Sequence, residues 1–253
     1  MTPRRASAAA ALSLATSIAA CTPAVTTPVA PAEAPEFPNA LYLDAHARGE
    51  PVFRIDNDSL AVIRVYRAGT LARLGHDHVV AARKIEGFVL SRDPSTQFRT
   101  GGSSRADLLI ALDTLSVDEP ALRAQANFDT QPSQSDIDGT RRNMLTKVLE
   151  VERFPTMQLQ VDSLEGEAPR MTVKVDIILH GTKRALDIPL EIDRPSADTI
   201  YTSGRFSIEQ TDYGITPLSI FGGAIAVQNR IDIEFRLHAT RVPPNQTLTP
   251  IGK

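Results

Sequence analysis

The stretch MTVKVDIILHGTKRALDIPLEID, residues 171–193, decides the fold. In its first half Met171, Val173, Val175, Ile177 and Leu179 alternate with Thr172, Lys174, Asp176, Ile178 and His180. In its second half Leu186, Ile188, Leu190 and Ile192 alternate with Asp187, Pro189, Glu191 and Asp193. Side chains on a strand point to opposite faces in turn, so this period of two describes strands with one dry and one wet face. Only His180-Gly181-Thr182-Lys183 links the two runs, and 171–180 with 185–193 is therefore predicted to form a hairpin. Pro189 has no N–H to give a ladder, which places it at an edge or a bulge.

The same alternation recurs outward from this hairpin. Ile231, Ile233, Phe235 and Leu237 alternate with Asp232, Glu234, Arg236 and His238, and weaker versions occupy 60–67, 78–90, 106–115, 157–164 and 200–210. The count is eight strands, most of them longer than the usual five or six residues. No strand alternates regularly with a helix, which disfavours a parallel α/β sheet. The predicted fold class is all-β, and eight long antiparallel strands need their edges closed. An eight-stranded up-and-down barrel closes them and leaves room for one small ligand. A two-sheet sandwich with a solid core fits the same pattern. One short helix is predicted, capped by Ser135 with Asp138 three positions on, and continued by Met144, Leu145, Val148, Leu149 and Val151 at helical spacing. Gly139 weakens its first turn.

Composition narrows the function. The 253 residues include 27 Lys or Arg and 30 Asp or Glu, a formal net charge of −3. Apolar residues make up 42% and charged residues 23%, ordinary for a globular chain and unlike a disordered one. A basic nucleic-acid face is not expected, and with no Trp and 5% aromatics there is no base-stacking platform.

Residues 1–20 read as an export signal, with Arg4 and Arg5 ahead of a small-residue apolar stretch. Ile18-Ala19-Ala20-Cys21 resembles a bacterial lipobox, which makes Cys21 the expected lipid-attachment residue; ordinary cleavage after Ala19 is the alternative. Cys21 is the only cysteine, so no internal disulfide can form. Two or more acyl chains on it would anchor the protein stably. Residues 21–40 contain five prolines and read as a semi-rigid spacer. The domain is expected over 41–241, and 242–253 as a loose tail. The expected location is the periplasmic side of a bacterial envelope, the expected partner there the membrane itself, reached through the N-terminal anchor. A homodimer is allowed.

Catalytic signatures are missing: there is no G-x-S-x-G, P-loop, G-x-G-x-x-G or H-E-x-x-H motif. No enzyme activity, cofactor or metal is predicted. The sharpest local feature is Leu74-Gly75-His76-Asp77-His78. On an extended segment His76 and His78 share one face about 7 Å apart. They could share a metal if a third ligand joined them, contact a ligand headgroup, or satisfy backbone groups at the start of a strand. The apolar, glycine-rich segment from Tyr213 to Val227 should cover something, either the outer sheet or the mouth of an apolar cavity, through Leu218, Ile220 and Phe221.

Four pieces together resemble the bacterial YceI-like family of exported, lipocalin-like polyisoprenoid-binding proteins. They are Leu74-Gly75-His76-Asp77-His78-Val79 leading to Glu86-Gly87-Phe88; Arg153-Phe154-Pro155-Thr156-Met157; Leu179-His180-Gly181-Thr182-Lys183; and Gly204-Arg205-Phe206-Ser207-Ile208 followed by Asp212-Tyr213-Gly214-Ile215. They span about 60–240. Where the family often has an aromatic pair and an acid, this chain has Val148-Leu149-Glu150. The resemblance implies the barrel over the sandwich, with an apolar pore for a long isoprenoid or other amphiphilic lipid. The expected ligand contacts are His76, His78, Phe221 and an assumed inward face of Ile110, Leu112, Val173, Val175, Ile177, Phe206, Ile208, Ile233 and Phe235. Ten buried tail carbons at about 0.8 kcal/mol each contribute up to roughly 8 kcal/mol, or micromolar affinity before ordering costs. Two other readings are a His-based metal-binding envelope protein and a ligand-free stress-response module.

Overall fold

The computed structural model of the chain describes residues 35–91 and 104–252. The export signal, Cys21 and most of the spacer lie outside these residues. Twelve strands are described: β1 (Val52–Ile55), β2 (Leu60–Ala68), β3 (His78–Ala82), β4 (Ile85–Leu90), β5 (Arg105–Ala111), β6 (Ser116–Val117), β7 (Thr156–Glu167), β8 (Arg170–Leu179), β9 (Thr182–Ser196), β10 (Thr199–Glu209), β11 (Ser219–Ile220) and β12 (Ile225–Arg241). All pairings among them are antiparallel, and the order β1-β4-β5-β7-β8-β9-β10-β12 returns to β1. The result is a closed ring of eight.

Three staves of this barrel are broken in the middle. β2 continues β1, pairing with β12 from Leu60↔Arg236 to Ala68↔Ala226, while β1 pairs with the end of β12 at Phe53↔Arg241. β3 and β4 form one stave interrupted at Arg83-Lys84, and β5 and β6 form another interrupted by the turn Leu112–Thr114. The eight expected windows correspond to these eight staves.

The predicted hairpin is present as β8 and β9. Leu179 pairs with Thr182, leaving His180 and Gly181 as the two-residue turn, with φ of 51° and 72°. Positive φ at both positions is what a hairpin turn of matching twist requires. Gly181 is needed twice over, because a Cβ there would lie 2.8 Å from the Phe154 ring. Pro189 also falls where the sequence places it. β9 pairs with β8 from Thr182 to Glu191, but its register with β10 runs only from Leu190↔Gly204 to Ser196. Missing an N–H, Pro189 marks the point where the ladder to β10 stops.

The alternation directs one row of every stave inward. Val173, Val175, Ile188, Ile192, Leu108, Ile110, Ile208 and Ile233 belong to one buried cluster inside the ring. The opposite row forms two smaller clusters on the outside. α2 (Pro120–Ala126) packs Leu122 on Leu60, Val79 and Ala81. α1 (Asn39–Ala47) packs Tyr42 and Ala45 on Val52, Phe88, Leu90 and Leu109. The Tyr42 hydroxyl donates to the buried Asp107 carboxylate at 2.6 Å, and Arg105 Nε donates to the same oxygen at 2.7 Å. Burial, and then the neighbouring carboxylate, push the Tyr42 phenol far above its usual range.

Four expectations need correction here. The segment after 242 is not loose: Leu248 and Ile251 are buried against α1, and Ile251 exchanges two hydrogen bonds with the Asn39 side chain. Their apolar side chains find a dry outer patch that the strand pattern alone does not reveal. The ordered unit also begins before 41, since Phe37 joins the same cluster. The anticipated helix is α3 (Gln134–Asn143), continued by a π-helical turn over Met144–Val148. Its cap is Ser133 with Asp136 rather than Ser135 with Asp138, and both reciprocal bonds of a capping box are made. Two overlapping S-x-x-D patterns exist and the first is used. α1 and α2 are additional to the single helix expected.

Candidate functional site

The inward rows do not fill the ring. They enclose a cavity of about 660 Å³, within the range of small-molecule sites. Its wall is almost entirely aliphatic and aromatic. β5 supplies Ala106, Leu108 and Ile110; β8 supplies Val173 and Val175; β10 supplies Ile200, Phe206 and Ile208; β12 supplies Ile231, Ile233, Phe235 and Leu237. Gly204 faces inward between Thr202 and Phe206, and a Cβ there would sit 2.7 Å from the Phe235 ring tip and 2.8 Å from the Pro189 carbonyl oxygen. The missing side chain is what lets Phe235 project across the bore, where it meets Phe206 edge-on at 6.2 Å.

Of the twelve expected contacts, ten line this cavity: His76, His78, Ile110, Leu112, Val173, Val175, Phe206, Ile208, Ile233 and Phe235. The assumed inward face is the inward face. Ile177 lies in the same row but is completely covered within the core and does not reach the cavity surface. Phe221 is 79% exposed and points away. The segment Tyr213–Val227 does contribute to the wall, through Leu218, Ile220, Ile225, Ala226 and Val227. Gly222 and Gly223, both at positive φ, turn the chain sharply after Ile220, and this turn leaves the neighbouring Phe221 outside.

One end of the cavity is polar. His76, His78 and Arg67 meet there with Ser135, Asp136 and Thr140 of α3, while Met144, Val148 and Leu149 close over the adjoining aliphatic wall. Leu74 and Ile220 line the cavity and are yet 58% and 45% exposed, so the cavity reaches the surface at this end. Leu71, also exposed, donates its amide to Ala224 at 2.7 Å and ties the two apolar loops together.

His78 is held from behind. Its Nδ1 lies 2.6 Å from Asp118 Oδ2, and its Nε2 faces Thr140 Oγ1 at 3.4 Å. Asp118 Oδ1 accepts from the Val79 amide at 3.0 Å and from Arg123 at 2.8 Å. Burial pushes the Asp118 carboxyl upward, but the hydrogen bonds from His78, Val79 and Arg123 outweigh it and hold the carboxyl below its usual range. Asp118 adopts a left-handed φ of 53° to reach this position. His76 stands beside His78, ring centroids 6.1 Å apart, with a buried Nδ1 that has no partner. The other histidines are elsewhere: His180 sits at the β8–β9 turn against Phe154, and His238 lies against Tyr201 and Asp56. Among the described residues, no group of three or more His, Cys, Asp or Glu could hold a metal ion.

Asp118, Thr140 and Asp136 were not visible as site residues in the sequence. Asp118 belongs to a loop with no motif, and Thr140 and Asp136 reach the cavity only because α3 crosses its end. The Pro at the first position of α2, directly after Asp118-Glu119, was the one local signal of a structured turn there.

A YceI-like domain profile matches residues 73–239, which takes in the polar end, seven of the eight staves and α3. The chain belongs to the YceI-like family. The barrel of this YceI-like protein is similar to that of two solved structures. A polyisoprenoid-binding domain from Saccharophagus degradans, described as implicated in plant cell wall breakdown, superposes with a TM-score of 0.52 at 15% identity, covering 75% of this chain and 98% of that one. BcnA of Burkholderia cenocepacia superposes with a TM-score of 0.55 at 12% identity, covering 74% and 99%. At such identities the likeness is one of fold. No protein of curated function matches the chain by sequence. Among the described residues of the YceI-like chain, no helix is long and apolar enough to cross a membrane.

Proposed function

We propose that this YceI-like protein is an exported, membrane-anchored binder or carrier of an isoprenoid or other amphiphilic lipid, and not an enzyme. The observation that carries the reading is the cavity: about 660 Å³, walled mostly by aliphatic rows, with a polar group of His76, His78, Arg67 and α3 side chains at an end that reaches the surface. That arrangement suits an amphiphile, with the tail in the bore and the head at the polar end. An aliphatic wall gains per buried carbon and has few polar groups to measure length, so long tails bind tightly and with little length selectivity. The polyisoprenoid-binding description of the Saccharophagus domain supports the same ligand class. Export and anchoring rest on the N-terminal sequence, with the Arg pair, the small-residue stretch and Cys21.

The test is native mass spectrometry of the chain exported in a bacterial host and purified without detergent, followed by solvent extraction. A discrete added mass that extracts as lipid is expected. A folded protein of bare mass, still bare after exposure to prenylated quinones and alcohols, overturns the reading.

A further inference from the structure

The polar end of the cavity presents two imidazoles whose hydrogen bonding is incomplete. The Asp118 carboxylate has no proton to give, so the proton shared with His78 sits on Nδ1, and Nε2 is the ring nitrogen left to face the cavity, a lone-pair acceptor in the neutral ring. Facing Nε2 is only the Thr140 hydroxyl at 3.4 Å, longer than the usual hydrogen-bond range. His76 adds a buried Nδ1 without a partner. Both rings line the cavity.

The charges around them are already matched. Arg67, the one cation lining this end among the described residues, forks onto Asp129 at 2.8 and 2.6 Å and lies 3.8 Å from Asp77. Arg123 is committed to Asp118 and to the Asp77 carbonyl. Asp136 adds a carboxylate to the lining. A phosphate or diphosphate seeks uncommitted guanidinium or ammonium groups, and would meet a carboxylate instead. A hydroxyl donates one hydrogen bond and accepts others, which is the complement of a lone pair on His78 and a free nitrogen on His76.

We infer that the polar end is a site for a neutral hydroxyl headgroup, an alcohol or a phenol, which donates to His78 Nε2, and that it discriminates against phosphorylated and hydroxyl-free heads on the same tail. This rests on the lipid-carrier reading and narrows it to a headgroup class.

Calorimetric titration of the full chain, detergent-free and below the micelle threshold of each probe, compares geranylgeraniol, its methyl ether and its diphosphate. The alcohol is expected to bind about tenfold tighter than the ether, the worth of one well-made hydrogen bond, with the diphosphate weakest. A prenylated hydroquinone against its quinone separates a phenolic from an aliphatic source, since a phenol site favours the hydroquinone over the alcohol as well. In His78→Phe the alcohol falls to the affinity of the ether. If that variant does not fold, the wild-type order decides. Equal binding of alcohol and ether, or a diphosphate as tight as the alcohol, overturns the headgroup inference and leaves the carrier reading in place. Failure of every prenylated probe to bind removes both.

Discussion

Replacing Val175 with Asp asks directly whether the bore is dry. Val175 is 3% exposed, faces the cavity, and lies in register between Leu186 on β9 and Val161 on β7. Asp is no larger than Val, so steric clash contributes nothing. A carboxyl in so apolar a place has its pKa raised by about 3–5 units, and each unit is worth about 1.36 kcal/mol. The penalty at neutral pH is therefore about 4 kcal/mol, because ionisation costs only what separates pH 7 from the unfolded pKa, and this is a large share of the roughly 5–15 kcal/mol that holds a typical domain folded. The sign follows from linkage. With the folded pKa above the unfolded value of about 3.9, the variant matches its parent most closely below about pH 4. It loses about 1.4 kcal/mol per pH unit above that, until the folded pKa is reached. Urea denaturation of variant and parent at about pH 4.5, 6 and 7.5 reads the gap at each pH. Val175→Asn, which cannot ionise, supplies a pH-independent control. A gap between Val175→Asp and parent that stays the same at all three values refutes the reasoning, because it requires a carboxylate solvated inside the barrel.

Two further perturbations probe the outer parts of the design. Asp118→Asn removes the charge that bonds His78 and Arg123 and is expected to cost roughly 3 kcal/mol near neutrality. Since the folded Asp118 titrates below its unfolded value, this stabilisation is present above about pH 4 and is lost as the pH falls further. The parent–variant gap measured by denaturation should therefore close in acid, and a gap that widens there contradicts the assigned hydrogen bonds. Deleting residues 243–253 exposes the α1 patch that Leu248 and Ile251 cover, at a cost of up to about 3–6 kcal/mol for two aliphatic side chains. Because this patch lies outside the ring, prenyl-lipid uptake by the folded fraction should persist, and uptake abolished at unchanged stability would place the tail in the site.

How much of this was legible in the sequence depends on whether a residue's role is local. Each stave announces itself through period two, and the inward row is legible because every stave turns an apolar face to the one shared interior, whereas the outer apolar patches under α1 and α2 involve only a few staves each. The break at 56–59 keeps the inward row on odd positions, Phe53 and Ile55 before it and Ala61 and Ile63 after it, and so leaves no mark in the alternation. Those at 83–84 and 112–115 move the row from even to odd positions, Val80 and Ala82 to Ile85, and Leu108 and Ile110 to Leu115 and Val117, a slip that single windows over 78–90 and 106–115 run through. α1 was masked by the Pro-rich stretch before it and by an outer-face role that Tyr42 and Ala45 fill with only two buried side chains. His76 and His78 were legible as a pair from their spacing. Asp118, which positions one of them, is 40 residues away and becomes its neighbour only through the pairing of β3 with β6. Phe221 lies outside because the glycine turn that follows Ile220 sets its direction, and the apolar character of the segment does not say which of its side chains reach the cavity.

β12 carries a further consequence. It is the last stave to leave the ribosome, and it alone holds both seams of the ring, pairing with β10 on one flank and with β1 and β2 on the other. Phe53 waits for Arg241 across nearly the whole length of the domain. Until that residue is made, every nascent form of the chain has two unpaired strand edges and an apolar interior open to whatever it meets, so the protein depends on being kept from other chains throughout synthesis.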